Sequence, residues 1–309
     1  MNNPLVSVLV PSFNYARYLT AALDSLLKQT YTHFEIIVVD DGSDDNSMEI
    51  LKTYESKFPG IFRVSTHEGH KRRGIIKTYQ KALSESRGEL IAFLEADDLW
   101  ESANLAEKVE AFLNYPQVGV VYSAYKPFGM RRGAFYWNLH AFVNHFFLAR
   151  NQPTSMLKAL LRSNPVSSFS HFMVKRSLFE QIPVPHLMGG YYDWWALAHL
   201  SLVASFYFIP EKLCRWRIHS LSAGHGRISR RKIFRLHVFL KQLHKSLKRN
   251  AMAQDKIETI EKYSHFQTLV ADREASAVFK KVFFHPLESL RFAGHLFLRN
   301  LLFFQLRAE

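Results

Sequence analysis

The sequence predicts an α/β fold in which a mostly parallel, doubly wound sheet is flanked by helices and followed by a C-terminal helical extension. Three observations carry this. Short, predominantly apolar runs at 5–10, 34–39 and 90–94, the last of them continuous, read as strands buried in a mostly parallel sheet. Segments with helical spacing alternate with those runs, which is the order a doubly wound sheet requires. After Gly226 the composition turns basic and amphipathic, dividing a domain over 1–226 from an extension over 227–309.

The first strand is Leu5–Val10, ended by Pro11 because proline donates nothing to an interior ladder. Ser12, Phe13 and Asn14 form a polar turn, and Leu19, Leu23, Leu26 and Leu27 then recur at helical spacing through Gln29. Phe34–Val39 is the second strand and stops at Asp40, Asp41, Gly42 and Ser43. A carboxylate just beyond such a strand accepts hydrogen bonds from a base N–H or from ribose hydroxyls. The other reading of these residues is an ordinary Asp-Gly turn followed by an Asp44 or Asp45 helix cap. Ile61–Ser65 gives a third strand, and His67–Gly74 (HEGHKRRG) is a basic loop suited to phosphate, with His67 and His70 read as loop residues. Ile75–Ser86 is the helix that leads to the acidic stretch.

That stretch, RGELIAFLEADDLW, organises the chain. Leu90–Leu94 is a buried strand, and Glu95, Asp97 and Asp98 lie just past its end, where open α/β sheets bind their ligands. Adjacent carboxylates repel and are costly to bury unless a cation lies near them. Mg²⁺ or Mn²⁺ fits, since such ions take oxygen ligands and are commonly completed by substrate phosphates. The alternative is that Asp97 and Asp98 cap a helix beginning near Glu101.

The remainder supplies the second half of the sheet and the tail. Val118–Tyr122 is a β-branched strand, and Lys126–Asn151 is rich in aromatics, so that Tyr136 or Trp137 either frames a sugar ring or fills core. Ser168–Phe179 reads as a strand and helix start, and Gly189-Gly190 leads into Asp193, which opens an apolar helix. Phe206–Ile209 is a further strand, followed by the cations and imidazole of Arg215–Ser220 (RWRIHS). Arg227–Asn250 carries Ile233, Leu236, Leu240 and Leu243 at helical spacing, Lys256–Phe279 is a second helix, and 285–307 alternates arginine with Phe/Leu clusters. These helices either pack on the sheet or lie on anionic lipid with arginines at the headgroups.

Composition narrows the partners. With 309 residues, 48% hydrophobic and 22% charged, the chain buries a core and is not wholesale disordered. A net charge of +13 asks for an anionic partner: a phosphate-bearing substrate, an anionic membrane surface or nucleic acid. No base-reading motif is present, which sets nucleic acid aside. Cys214 is the only cysteine, so no intramolecular disulfide forms and a reducing, cytoplasmic compartment fits; it reads as a small buried residue. The N-terminus, MNNPLVSVLVPSFN, lacks the pattern of a signal peptide, and no apolar run reaches the roughly 18 residues of a spanning helix. The expectation is a cytoplasmic protein, either free or peripheral on the cytoplasmic face of a membrane according to which of the two readings of the tail helices holds.

VSVLVPSFN, EIIVVDDGSDDNS and GELIAFLEADDLW, in that order, resemble the signatures of family 2 glycosyltransferases, which have the Rossmann-like GT-A fold. The resemblance continues through VGVVYSAY, NPVSSFSHFMVKRSLFEQI and YYDWWALAHL to RWRIHS. It implies that Pro11, Ser12, Asp40 and Asp41 line a nucleoside pocket. Asp97 and Asp98 would hold metal and diphosphate, with Asp98 the direct metal ligand, and His219 would be a further metal or phosphate ligand. Asp193 lies in a DWW pattern like that of the catalytic aspartate, and its aromatic flanks would raise its pKa toward that of a useful base. Two positions depart from the pattern. Glu95 stands where the family commonly has Asp, and Tyr79-Gln80 where many relatives carry Arg-Asn, so Arg72, Arg73 or Lys77 would supply the positive charge. The implied activity is inverting transfer from a nucleoside-diphosphate sugar to a hydroxyl of a glycan, lipid-linked glycan or polysaccharide, with Mg²⁺ or Mn²⁺ as cofactor. The alternative is a catalytically silent, nucleotide-binding scaffold of the same fold.

Overall fold

The computed structural model of the chain describes residues 3–129, 138, 141, 154–161, 164–185, 189–219 and 230–263. Eight strands form one sheet: β1 Val6–Ser12, β2 Phe34–Asp40, β3 Phe62–Thr66, β4 Leu90–Phe93, β5 Leu99–Trp100, β6 Val118–Gly129, β7 Phe172–Lys175 and β8 Ser205–Ile218. Their order is β3-β2-β1-β4-β7-β6-β8-β5. β7 and β5 run against the other strands, and the rest pair in parallel where they are neighbours.

Side-chain parity explains why the strands read as apolar runs, interrupted in β1 and β2 only by Ser7 and Glu35, whose side chains bond each other at 2.7 Å. Val6, Val8 and Val10 point to one face and Leu9 to the other, and β2 divides the same way, with Ile36 and Val38 opposite Ile37 and Val39. Helices cover both faces. On the first, α1 (Ala16–Leu27), α2 (Ser47–Lys57) and α4 (Asn104–Asn114) bring Leu19, Leu23, Leu51 and Val109 into the core. On the second lie α3 (Ile75–Glu85), the short α5 (Leu157–Leu160) and α6 (Arg176–Phe179), α7 (Tyr192–Val203) and α8 (Arg230–Asn250).

Four expectations change. β1 does not stop at Pro11: the strand continues to Ser12, with Pro11 beside Val39 of β2. Alternation along a parallel strand turns the proline nitrogen toward β4, which has already left the ladder, so no hydrogen bond is lost. Asp97 and Asp98 cap no helix, because β5 intervenes and α4 begins at Asn104 behind Ala103. β6 and β8 are far longer than their apolar centres, staying paired through polar and aromatic residues to Gly129 and Ile218. The apolar stripe of α8 faces protein: Phe239, Leu243 and Leu247 are fully buried in the core that contains α7. Of the tail, 264–309 lies outside the described residues, as do Tyr136 and Trp137. Among the described residues no helix is long and apolar enough to cross a membrane.

Candidate active site

Parallel strands bring the loops after β1, β2, β3 and β4 to one edge of the sheet, and hydrogen bonds tie them together. The Asp41 N–H donates to the Ser12 carbonyl at 2.7 Å, Asn14 N–H to Ser43 Oγ at 2.9 Å, and Asp44 N–H to Asn14 Oδ1 at 3.0 Å. Asp40, with no exposed surface, accepts from Gly42 N, Ser43 N and Ser43 Oγ at 3.1, 2.8 and 2.6 Å, so it shapes the turn from below. Asp41 reaches across to the basic loop and accepts from the backbone N–H groups of Arg73 at 2.6 Å and Gly74 at 2.9 Å. His67 Nε2 lies 3.5 Å from the same carboxylate, although burial lowers its pKa despite that neighbour. Gly42 has φ +80°, and a Cβ there would stand 2.7 Å from the His70 carbonyl oxygen, so only glycine lets the two loops close. The side chain of Arg73 is exposed, while the Arg72 guanidinium lies over the Phe13 ring at 3.9 Å. Pro11 and Ser12 are buried at the floor.

Past β4 the chain turns tightly, with the Asp98 N–H bonded to the Glu95 carbonyl at 3.0 Å. The turn sends the three acids in different directions. Asp97 Oδ2 meets His219 Nε2 at 2.8 Å, joining the end of β4 to the end of β8. Asp98 turns inward and is 1% exposed. Its Oδ1 accepts from the Arg217 N–H at 2.8 Å, and its Oδ2 is short of a well-formed hydrogen bond among the described residues. Burial, and then the charge of Asp97, pushes the Asp98 carboxyl well above the usual range. Around Asp97 and His219 stand rings and a cation: Tyr18 is 5.0 Å from His219 between centroids, and Arg217 lies over Tyr18 at 4.7 Å and over Phe128 at 4.3 Å. Burial, followed by Asp97, Glu95 and Asp98, raises the Tyr15 phenol.

Glu95 and Tyr79, two of the residues that depart from the family pattern, meet each other. The Tyr79 hydroxyl donates to Glu95 Oε1 at 2.8 Å. Burial, and then the charge of Asp97, raises Glu95 to about 8. The longer carboxylate reaches inward to a phenol, and the charge of Asp193 acts on both partners. Asp193, in the first turn of α7, accepts from the Trp194 N–H at 2.8 Å and from Asn164 Nδ2 at 2.9 Å. Burial raises it to about 6 against those two hydrogen bonds.

The pattern described as glycosyl transferase family 2 matches residues 7–183, more than half of the chain. The chain belongs to that family. A glycosyltransferase of Nostoc sp. is 36% identical over 121 residues, which is 38% of this chain and 35% of the relative. The Escherichia coli UDP-Glc:alpha-D-GlcNAc-diphosphoundecaprenol beta-1,3-glucosyltransferase WfgD is 34% identical over 114 residues, 37% of this chain and 43% of that one. The chain spans less than half the length of these curated relatives. The fold of this family 2 glycosyltransferase is also that of two solved structures. Staphylococcus aureus TarS 1–349 in complex with UDP-GlcNAc has a TM-score of 0.61 at 21% identity, covering 85% of this chain and 72% of that one. The mannosyltransferase of Pyrobaculum calidifontis in complex with GDP-Man and Mn²⁺ has a TM-score of 0.60 at 21% identity, covering 96% and 81%. The sheet is thus a GT-A sheet.

The structure gathers Asp97, His219, Asp40 and Asp41 at one edge. Sequence reasoning missed Asn164, the partner of Asp193, and the aromatic wall of Tyr15 and Tyr18. An aromatic pair at the opening of α1 was a signal for the wall, whereas a lone Asn before Pro165 gave none for Asn164.

Proposed function

We propose that this family 2 glycosyltransferase moves a sugar from a nucleoside-diphosphate sugar to an acceptor hydroxyl in one inverting displacement. The observation that carries the reading is Asp193: a buried carboxyl raised to about 6, oriented by two hydrogen bonds, within electrostatic reach of the Glu95 segment. Such an acid is ionised near neutrality and basic enough to take a proton from a hydroxyl. Complexes of the fold neighbours with UDP-GlcNAc and GDP-Man support the donor class. The name of the Escherichia coli relative supports a glycan or lipid-linked glycan as acceptor.

The residues present fit a divalent metal. Asp97 and His219 offer one carboxylate and one imidazole, with side chains 13% and 9% exposed, a short donor set of the kind that substrate phosphates complete. Mg²⁺ or Mn²⁺ bound there supplies charge neutralisation for the departing diphosphate. In this reading Asp97 and His219 face the ion, and Asp98 holds the end of β8 in place through the Arg217 N–H. Asp41, Pro11, Ser12 and the loop of Arg73 form the nucleoside end, with Asp40 bracing its turn. Asp193 deprotonates the acceptor for attack opposite the leaving group.

The silent-scaffold reading loses its motive, because Glu95 and Tyr79 are paired with each other beside an intact Asp193. The division at Gly226 is a change of chemistry beyond which α8 packs on α7, and 285–307 carries the proposed affinity for anionic membrane. The test is Asp193→Asn, with nucleoside diphosphate release measured over a panel of sugar nucleotides with Mg²⁺ or Mn²⁺. Transfer is expected to fall by roughly 100-fold or more with donor affinity retained. Near-normal transfer would move the base elsewhere.

A further inference from the structure

Below the catalytic face, three groups from three separate elements converge in the interior. Asp98 comes from the turn after β4, His171 from the turn before β7 and Cys214 from β8. Each is at most 1% exposed, and one ligand atom from each lies within 4.8 Å of the other two. We infer that Asp98, His171 and Cys214 form a second, enclosed metal site of the zinc class, separate from the Asp97–His219 face.

Orientation supports this. His171 Nδ1 sits 2.5 Å from the Val166 carbonyl and the ring stacks on Tyr125 at 4.2 Å between centroids, which makes Nε2 the ligating nitrogen. A backbone carbonyl on the far nitrogen is the usual support of a metal-binding histidine. Asp98 is held likewise, with Oδ1 on the Arg217 N–H and the Ser170 hydroxyl beside the carboxylate, while Oδ2 is buried and short of a well-formed hydrogen bond among the described residues. A carboxylate oxygen so placed in a closed interior is costly, and a cation beside it removes the cost. Cys214 is fully buried, with its Sγ in the cluster; burial and then the charge of Asp98 hold its thiol protonated, and a bound cation is what would favour the thiolate.

The chemistry selects the ion. Thiolate and imidazole suit zinc and cobalt, whereas Mg²⁺ and Mn²⁺ prefer oxygen. Bonds of about 2.0–2.3 Å in a tetrahedron set ligand atoms about 3.3–3.8 Å apart, so the cluster closes on an ion by small side-chain rotations. One carboxylate and one thiolate neutralise a divalent ion, and three protein ligands leave the fourth position to a water. The ion would pin the end of β4, the 169–171 turn and β8 together, fixing from beneath the strand that carries His219.

The site does not rest on the transfer reading, and it is tested without activity. The full chain is produced in medium containing Co²⁺ and purified in excess Mg²⁺. The expected result is one cobalt ion per chain, with a thiolate-to-cobalt charge-transfer band in the near ultraviolet and the strong visible absorption of a tetrahedral ion. Cys214 is the only cysteine, so a thiolate band reports this site and no other. Cys214→Ala and His171→Gln should abolish the band, while Asp97→Asn and His219→Ala should preserve it. Should Cys214→Ala fail to fold, the wild-type spectrum decides alone. Folded wild-type protein with no thiolate band and no bound cobalt overturns the inference, as does a band that survives His171→Gln but disappears in His219→Ala.

Discussion

Asn164→Ala removes the side-chain hydrogen bond that opposes the burial of Asp193, leaving those from backbone N–H groups, that of Trp194 first. The lost bond, 2.9 Å long, favours the charged carboxylate, so its removal raises the pKa further above about 6. A hydrogen bond to a charged group is worth about 1.5–3 kcal/mol, and about 1.4 kcal/mol corresponds to one pKa unit, so the rise is roughly one to two units. A base must be unprotonated to accept, and lowering the pH through its pKa therefore switches it off. At pH 7 the ionised fraction would fall from about 90% to between about half and a tenth. The assay is kcat/KM for nucleoside diphosphate release from pH 5 to 9, at saturating donor and metal. Wild type should show an acid limb near 6, whereas the variant's limb should lie higher and its rate should approach wild type at the alkaline end. A uniform loss with an unmoved limb would mean that Asn164 acts only by accepting the Ser167 N–H at 3.1 Å and so holding the turn before β7. A wild-type profile with no limb near 6 would remove Asp193 as the base.

Three other perturbations address the rest of the site. Asp97→Asn and His219→Ala should each weaken Mn²⁺-dependent donor binding by about tenfold or more, equivalent to about 1.4 kcal/mol, as read by calorimetry; loss in Asp98→Asn with Asp97→Asn unaffected would make Asp98 the direct ligand, as the family resemblance implies. Gly42→Ala places a Cβ 2.7 Å from the His70 carbonyl at φ +80°, so urea unfolding should show a loss of about 1–3 kcal/mol, and an unchanged midpoint would refute the close approach. Phe239→Ala empties a fully buried position stacked on Tyr191, which should cost about 3–5 kcal/mol in the same measurement; a cost below about 1 kcal/mol would mean α8 is dispensable to the core.

The central strands were legible because both faces of β1, β2 and β4 are covered, which makes nearly every position apolar. β5 was hidden because it is two residues long and lies against an acidic turn, and the outer halves of β6 and β8 because buried residues such as Tyr125, Leu213 and Cys214 are interspersed there with exposed lysines and an exposed arginine and form no apolar run. The acids at the strand ends were visible as types, but their directions were not. Asp97 and Asp98 are neighbours in sequence, yet one faces His219 and the other the interior, a difference set by the turn that bonds Asp98 N–H to Glu95. Tyr79 and Glu95 stood out as separate anomalies, and only the packing of α3 on the sheet showed that each answers the other. The stripe on α8 was readable, but periodicity names an apolar face without naming what covers it.

The register of β8 decides which insertions and deletions the enzyme tolerates. Between Ser123 and Tyr125 its pairing with β6 slips, skipping from Ile209 to Lys212 and then to Cys214, so the segment around Pro210 already absorbs surplus length. From Cys214 to Ile218 the pairing is unbroken, and side chains alternate between faces one by one. A residue added or lost near Pro210 is therefore taken up by the bulge. The same change at Arg215 or Trp216 would leave the ladder intact while reversing the side on which Arg217 and His219 emerge, yielding a folded protein whose imidazole points away from Asp97. Length variation across related chains should accordingly gather on the Pro210 side of Cys214 and be absent between Cys214 and His219.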